Sequence, residues 1–261
     1  WHGKGNGRIS CSLGPHSIYT CSKDLLEKSL ALSKKKNLRI QLHLAETRKE
    51  LNDSKKQFGK RPADYADSLG LLTQNSLLAH CGWLSMSEIR AVAKKGAHVS
   101  HNPESNLKLA SGIAPVSEMA GEGVSVSLGT DGAASNNSLS LFGSMKTCAL
   151  IHKANRWDPT AVNAQQTLDM ATINGARALG FDSGSLEEGK LADIVTLDLN
   201  SPSLNPQHSL VSNLVYSESG SSVRDVIIDG KIVMRDRKML VFEEDFVIGK
   251  ARKVAEDLVS R

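Results

Sequence analysis

The sequence predicts an α/β fold: a body of parallel βαβ units, then a small all-β module, then a closing helix. Between residue 9 and about residue 178, short apolar stretches alternate with amphipathic helical stretches, which is the pattern of parallel strands connected by helices. After residue 180, short strand-like runs are separated by turns, with no helical pattern between them. The final stretch, EEDFVIGKARKVAEDLVSR, has the apolar spacing of an amphipathic helix.

The elements of the body follow one another in a regular order. RISCSLG leads to a helix at about residues 22–36, and LRIQLHLAE leads to helices that run through about residue 70. NSLLAHCG precedes SMSEIRAVAKKG, where Ser85 or Ser87 caps a helix that Gly96 ends. AHVSHNP and GVSVSLGTDG are the next apolar stretches, and a long helical region is predicted from about residue 139 to 179.

Three runs beyond residue 180 predict strands: GSLEEGKLADIVTLDLN, NLVYS and VRDVIIDGKIVM. Within the last of them, Asp229-Gly230 separates DVII from KIVM. An Asp-Gly pair between two apolar runs is a strong signal for a two-residue β-hairpin turn.

Composition and charge are those of an ordinary globular protein. The 261 residues are 40% hydrophobic and 23% charged, and the formal net charge of +4 comes from 32 basic and 28 acidic residues. The densest basic run, Lys34 to Lys36, lies at the predicted end of a helix, where cations are favoured, so nucleic acid is not a predicted partner.

The four cysteines are scattered without a Cys-x-x-Cys pair, which predicts neither a disulfide framework nor a structural zinc site and agrees with a reducing, cytoplasmic location. No apolar run approaches the roughly 18 to 20 residues of a membrane helix, and no signal-peptide pattern opens the sequence. A membrane is therefore not a predicted partner.

Side chains able to bind metal or transfer protons follow the predicted strands where each one ends. They are His16, His43 with Glu46, His80, His101 and Asp131. In a parallel α/β barrel, residues at the carboxyl ends of strands point into the site. Histidines and an aspartate at successive strand ends are the ligand types of a catalytic zinc or iron site, where a metal lowers the pKa of bound water and a nearby carboxylate carries protons.

Each of these residues also has a purely structural interpretation. A histidine at a strand end is often a hydrogen-bonded structural residue, and Asp131, between Thr130 and Gly132, suits a turn or a helix cap. His43 and Glu46 could form a local hydrogen-bonded pair. Their occurrence together at the ends of consecutive strands favours the functional interpretation.

The motifs QLHLAET, LLAHCGWLS, SHNPESNLKLASG and VSLGTDGAASNN resemble the amidohydrolase superfamily. Within it, they are most similar to the 5-methylthioadenosine/S-adenosylhomocysteine deaminases and their near relatives. The resemblance extends over nearly the whole chain. It implies that residues 1–180 form about strands 4–8 of a (β/α)8 TIM barrel, that residues 181–243 form the C-terminal part of a composite β-sandwich, and that residues 244–261 form a C-terminal helix.

The resemblance also implies a role for each site residue. His43 and Asp131 would be metal ligands, and Asp131 would also help to take a proton from the attacking water. His80 would orient that water, Glu46 would carry a proton to the purine ring and then to the departing ammonia, and His16 would contact the sugar. The implied reaction is hydrolytic deamination of an adenosine-type nucleoside (5-methylthioadenosine, S-adenosylhomocysteine, 5'-deoxyadenosine or adenosine) to the inosine analogue.

Two departures from the family pattern shape these expectations. The family's first barrel strand carries a His-x-His pair of metal ligands, which this sequence lacks, and the chain begins at what resembles the fourth strand. Catalytic zinc sites use three protein ligands, so we expect weak metal affinity and little turnover from this chain alone, with a complementing N-terminal segment or a homo-oligomer as possible partners. The run RISCSLGPHS has no lysine to bridge two metals, which favours a single divalent metal, zinc first and iron second.

Two other classes of function stay open at this point. A related amidohydrolase could act on triazines, guanine or cytosine with the same residues. Alternatively, the chain could be a non-catalytic remnant or subunit, which the missing His-x-His pair favours and the intact His43, Glu46, His80 and Asp131 oppose.

Overall fold

Two β-sheets organise the chain in the computed structural model, which describes residues 1–260. Five strands form a parallel sheet in sequential order, β1-β2-β3-β4-β5. These strands are β1 (Ser12–Leu13), β2 (Arg39–Leu44), β3 (Ser76–His80), β4 (His98–His101) and β5 (Ser125–Leu128). The sequence therefore predicted the α/β class and the parallel pairing correctly.

Helices connect and follow these strands. They are α1 (Lys23–Lys36), α2 (Arg48–Phe58), α3 (Pro62–Ser68), α4 (Met86–Lys95), α5 (Pro103–Lys108), α6 (Val116–Gly121), α7 (Ala133–Asn136), α8 (Leu141–Arg156), α9 (Ala164–Ala171) and α10 (Ile173–Leu179). The long helical region predicted from about residue 139 to 179 consists of three helices, α8, α9 and α10. Trp157 adopts a left-handed conformation that ends α8, and Thr172, at φ −127° and ψ −95°, separates α9 from α10.

Local capping chemistry sets the ends of several helices. Of the two serines predicted as caps of α4, Ser85 is the cap and forms a reciprocal capping box with Glu88, and Gly96 ends the helix in the left-handed conformation at φ 67°. Thr47 caps α2 by accepting the backbone N–H of Glu50. This cap matters for the site, because it fixes the turn that follows β2.

The core lies between the parallel sheet and its helices. On β2, Ile40, Leu42 and Leu44 are buried while the intervening residues are more exposed, as expected when successive side chains point to opposite faces. Leu78 on β3 is 0% exposed. The apolar face of each strand thus packs against helices, and the other face is left for polar residues such as His43.

A second, antiparallel sheet has the order β6-β7-β8-β9. Its strands are β6 (Ile194–Leu197), β7 (Val223–Ile228), β8 (Lys231–Arg235) and β9 (Lys238–Met239). Asp229 and Gly230 connect β7 to β8 with positive φ at both positions, 53° and 73°, as a type I′ turn requires. The hairpin prediction is confirmed. The closing helix α12 (Glu244–Val259) also forms, with no buried residue.

The prediction of a strand at NLVYS is wrong. This run lies in helix α11 (Leu210–Tyr216), which follows a short 3₁₀ helix (Pro202–Leu204). Ser209 caps α11 by accepting the N–H of Ser212, and Val215 is fully buried. The five residues of NLVYS are too short a window to reveal the helical spacing that extends back to Leu210.

None of the helices within residues 1–260 has both the length and the apolar character needed to cross a membrane.

Candidate active site

Four of the six predicted site residues, His43, Glu46, His80 and Asp131, lie where β2, β3 and β5 end. Because all five strands are parallel, their carboxyl ends meet at one edge of the sheet. The backbone at these ends is unusual: Ala45, His80, Cys81 and Asp131 all have positive φ, between 51° and 72°. Such conformations are uncommon for residues other than glycine and concentrate at functional sites. Three of the five strand ends, those of β2, β3 and β5, therefore share a backbone that redirects side chains.

His43 is held by the backbone of the preceding strand end. The carbonyl oxygen of His16 accepts both the backbone N–H of His43, at 2.9 Å, and the ring Nδ1–H, at 2.8 Å. With its proton on Nδ1, a neutral His43 has a free lone pair on Nε2. A histidine whose other nitrogen donates to a backbone carbonyl is the usual arrangement of a metal-ligating histidine.

Three imidazole rings form a row along the strand ends. The ring centroids of His16 and His43 are 4.6 Å apart, and those of His43 and His80 are 5.4 Å apart and stacked. His16 is exposed, and its Nδ1 lies 2.8 Å from the hydroxyl of Thr20. The structure thus brings three of the four predicted histidines together, with His16 outermost.

His80 is buried, and its ring is held through Nδ1. It is 1% exposed, and its Nδ1 lies 2.7 Å from the side-chain oxygen of Asn106. Its Nε2 lies 4.0 Å from a carboxylate oxygen of Glu46, which is beyond direct hydrogen bonding. A small polar group such as water can bridge groups at such a separation.

Glu46 sits on a turn that a second glutamate fixes. The carboxylate of Glu50, 3% exposed, accepts the backbone N–H groups of Ala45 at 2.9 Å and Glu46 at 2.8 Å. Burial raises the pKa of Glu50, although these two hydrogen bonds oppose the rise. The Glu46 carboxylate itself accepts the hydroxyl of Ser111 at 3.3 Å.

Asp131 is kept ionised by its surroundings. Partial burial acts to raise its pKa, but the hydroxyl of Ser105 at 2.7 Å, the N–H of Gly132 and the nearby histidines outweigh that effect. The pKa of Asp131 therefore lies below its ordinary value. A carboxylate in this state can bind a cation or accept a proton.

His101 ends a strand but faces the other way. Its Nε2 lies 3.0 Å from Nε2 of His152 on α8, on the helix-packed side of the sheet. Both rings are buried, and burial lowers both pKa values, that of His152 to about 4. With Cys148, they form the one group of three metal-type side chains within residues 1–260 whose donor atoms all lie within 4.8 Å. The two imidazoles, however, are already joined by a hydrogen bond.

The ligand types at the strand ends fit a divalent metal, but the set is incomplete. His43 offers a free Nε2, and Asp131 offers a carboxylate with lowered pKa. His43 and Asp131 are not part of any three-residue group with donor atoms within 4.8 Å among the described residues. Catalytic zinc sites generally use three protein ligands, of which His43 and Asp131 would supply two.

Sequence reasoning did not assign roles to the residues that support the site. These are Glu50, Ser105, Asn106 and Ser111, each 0–4% exposed. Three of them belong to SHNPESNLKLASG, a motif that carried the resemblance. A run of serines and asparagines directly after a strand was the available signal.

Comparison with characterised sequences gives a clear relationship. Residues 1–233 match the model of a protein family that is described as "Amidohydrolase family". The chain is 48% identical over 257 residues to a 5'-deoxyadenosine deaminase of Methanothermobacter thermautotrophicus, covering 98% of this chain and 60% of that protein. It is 46% identical over 264 residues to a 5-methylthioadenosine/S-adenosylhomocysteine deaminase of Syntrophomonas wolfei, covering 100% of this chain and 61% of that protein. The chain thus spans about 60% of the length of these relatives.

A solved structure has nearly the same backbone. An adenosine deaminase from Xanthomonas campestris, crystallised with bound zinc, superposes with a TM-score of 0.96 at 36% identity. The match covers 99% of this chain and 60% of that one.

Proposed function

Because this chain belongs to the amidohydrolase family, we propose that its strand-end residues form part of an active site that deaminates adenosine-type nucleosides hydrolytically. The observation that carries the proposal is the convergence of His43, Glu46, His80 and Asp131 at one edge of the parallel sheet, with His43 tied through Nδ1 to a carbonyl. The relatives named as deaminases of 5'-deoxyadenosine and of 5-methylthioadenosine or S-adenosylhomocysteine support this substrate class.

The proton-handling groups have complementary positions. Deamination adds water to the amino-bearing purine carbon and releases ammonia, so both protons of the water must leave its oxygen, one reaching the ring nitrogen and the other the departing amino group. The Asp131 carboxylate, kept ionised by its hydrogen bonds to Ser105 and Gly132, accepts a proton from water, and His80 Nε2 holds that water by a hydrogen bond. Glu46 Oε2, 4.0 Å from His80 Nε2, carries protons to the purine ring nitrogen and then to the leaving amine. His16, outermost in the row, contacts the sugar.

A single divalent metal is part of this proposal, zinc first and iron second. His43 through Nε2 and Asp131 through a carboxylate oxygen would hold it. When bound, it supplies a Lewis acid that lowers the pKa of water. We propose that the remaining ligands come from a segment outside residues 1–261, in agreement with the 60% span of the relatives, and that this chain alone binds metal weakly and turns over slowly.

The same reasoning extends to the architecture. We propose that β1 to β5 are about strands 4–8 of a (β/α)8 barrel within residues 1–180, that residues 181–243 form the C-terminal part of a composite β-sandwich, and that residues 244–261 form a separate C-terminal helix. The support is the sequential parallel order of the five strands and the backbone match to the adenosine deaminase. A complementing N-terminal segment, or a second copy of the chain, would cover the free edges of the parallel sheet.

The test is a fusion that supplies the missing ligands. The part of the Methanothermobacter relative that precedes the matched region, which covers 60% of that protein, is joined to this chain, and ammonia release is measured with 5'-deoxyadenosine, 5-methylthioadenosine and S-adenosylhomocysteine. Guanine, cytosine and a chlorotriazine are assayed in parallel. We expect zinc-dependent deamination of the nucleosides by the fusion and little by the chain alone.

Matched variants separate the possible outcomes. His43→Ala in the fusion is expected to abolish zinc-dependent activity, whereas Cys148→Ser, at the buried cluster on the helix side, is expected to leave it intact. A folded, zinc-loaded fusion that acts on a triazine and on no nucleoside would refute the substrate class. Robust zinc-dependent deamination by the isolated chain would refute the need for further ligands.

A further inference from the structure

One short segment contacts three of the four proposed catalytic side chains. From residues 102–111, the hydroxyl of Ser105 donates to Asp131 at 2.7 Å, the amide oxygen of Asn106 lies 2.7 Å from Nδ1 of His80, and the hydroxyl of Ser111 donates to Glu46 at 3.3 Å. The three contacted residues follow three different strands, β5, β3 and β2. One segment therefore links strand ends that are far apart in sequence.

We propose that residues 102–111 form a positioning element for the site, in which Asn106 fixes His80 in the tautomer that carries its proton on Nδ1. Ser105, Asn106 and Ser111 do not touch the reacting atoms in this arrangement; they act through the side chains that do. Asn106 is the member whose effect is largest, because it decides which ring nitrogen of His80 carries the proton.

The segment is rigid enough to perform this task. Ser105, Asn106 and Ser111 are 0%, 2% and 4% exposed. The backbone N–H of Ser111 donates to the carbonyl of Asn106 at 2.8 Å, and the indole N–H of Trp83 donates to the carbonyl of Ser111 at 2.7 Å. Glu104, in the same segment, accepts the hydroxyl of Ser144 at 2.8 Å, which ties the segment to α8. The segment is therefore buried and tied to Trp83 and to α8, whereas the amide nitrogen of Asn106 has no hydrogen-bond partner among the described residues, so the contact with His80 is the one that orients this amide.

The tautomer follows from hydrogen-bond chemistry. An amide oxygen can only accept, so Nδ1 of His80 must be the donor, and a neutral imidazole then has a bare Nε2. That nitrogen faces a carboxylate oxygen of Glu46 at 4.0 Å. Two acceptors at this distance are suited to a proton-bearing group between them, such as one water molecule. A reversed amide would place an N–H against Nδ1 and move the His80 proton to Nε2, where it could no longer accept from water.

The value of this tautomer for catalysis rests on the proposed function, but the tautomer itself can be measured without turnover. The full chain is labelled with ¹⁵N, and the ring nitrogens of His80 are observed by long-range ¹H–¹⁵N correlation at about pH 8.5, above the ordinary imidazole pKa of about 6.5. Loss of one spin system in His80→Gln assigns the resonances. We expect a protonated Nδ1 and an unprotonated Nε2.

Two variants of Asn106 test its part in this result. Asn106→Asp retains an acceptor in either orientation, so the Nδ1–H tautomer is expected to persist. Asn106→Leu has a similar volume and no acceptor, so His80 is expected to shift to a mixture of tautomers. Asn200→Leu, at an exposed position outside the body, is the control and is expected to leave the His80 resonances unchanged.

The outcomes are decisive even when one variant fails to fold. A wild-type chain with the proton on Nε2 of His80 would overturn the proposal, as would a folded Asn106→Leu chain whose tautomer is unchanged. If Asn106→Leu does not fold, the wild-type and Asn106→Asp spectra still decide. If His80 carries its proton on Nδ1 but the fusion deaminates no nucleoside, the proposed function is refuted and the inference about Asn106 still holds.

Discussion

Replacing Glu218 by glutamine removes a buried carboxylate that connects α11 to the start of β7. Glu218 is 2% exposed, and it accepts backbone N–H groups from Ser219 at 3.0 Å, Gly220 at 2.6 Å and Ser222 at 3.1 Å. It also accepts the hydroxyls of Ser222 and, at 2.7 Å, Ser203. Burial acts to raise its pKa, but these hydrogen bonds outweigh burial and lower the pKa from 4.5 to about 2.

The size and sign of the effect follow from this pKa. A difference of one pH unit corresponds to about 1.4 kcal/mol, so a pKa of 4.5 in the unfolded chain and about 2 in the folded chain gives a stabilisation of about 3 kcal/mol at neutral pH. Because the folded pKa is the lower one, this stabilisation is fully present above pH 4.5. It is lost as the pH falls from about 4.5 to about 2, where the unfolded state binds the extra proton.

The assay is urea unfolding of the wild-type and Glu218→Gln chains at a series of pH values from 7 to 2.5. We expect Glu218→Gln to lower the free energy of unfolding by about 3 kcal/mol at pH 7, and the gap between the two chains to shrink steadily below pH 4.5. Glu188→Gln, at an exposed position, is the control and should change stability by less than about 0.5 kcal/mol. If the difference in unfolding free energy between the two chains is equally large at pH 7 and pH 2.5, the charge of the Glu218 carboxylate is not the source of the stabilisation.

Three further stability predictions can be checked by the same unfolding measurements at pH 7. Leu78→Ala, at a 0% exposed position, should cost about 2 to 5 kcal/mol, whereas Leu186→Ala, 81% exposed, should cost less than about 0.5 kcal/mol; equal costs would contradict the placement of the core. Glu88→Ala should lower the free energy of unfolding by about 3 to 5 kcal/mol. Glu88 is fully buried, pairs with Arg61 at 2.6 Å and forms the capping box of α4. An unchanged stability would show that this ion pair does not hold the helices together. Gly184→Ala should cost more than about 1 kcal/mol, because a Cβ there would lie 2.7 Å from Cα of Ile173 at a φ of +87°; wild-type stability would mean that this backbone contact relaxes freely.

Much of the fold could be predicted because it depends on local patterns. The alternation of apolar strands and capped helices fixed the order of the body, and Asp229-Gly230 located the hairpin. The strand assigned to NLVYS failed for a physical reason. Helix α11 is stabilised by the Ser209 cap and by the burial of Val215. The cap lies outside NLVYS, and the burial of Val215 depends on tertiary packing that the local sequence does not show.

The candidate site could be predicted only in part. His43 and Glu46 were visible because they end a clear apolar strand, but strand ends do not reveal which face a side chain takes. His101 also ends a strand and is directed to α8. The role of Asn106 depends on a contact with a histidine 26 residues away, and spacing along the chain does not encode such a contact.

We propose that the strand-end residues form a deaminase site in which Glu46 moves protons. The most direct measurement is the turnover of 5'-deoxyadenosine by the zinc-loaded fusion and by the same fusion carrying Glu46→Gln, followed by ammonia release. A general acid–base group typically contributes a factor of about 10² to 10⁴ in rate. We therefore expect Glu46→Gln to lower kcat by a factor of that size with little change in zinc content. If the Glu46→Gln fusion retains a kcat within about tenfold of that of its parent, Glu46 is not the group that transfers protons.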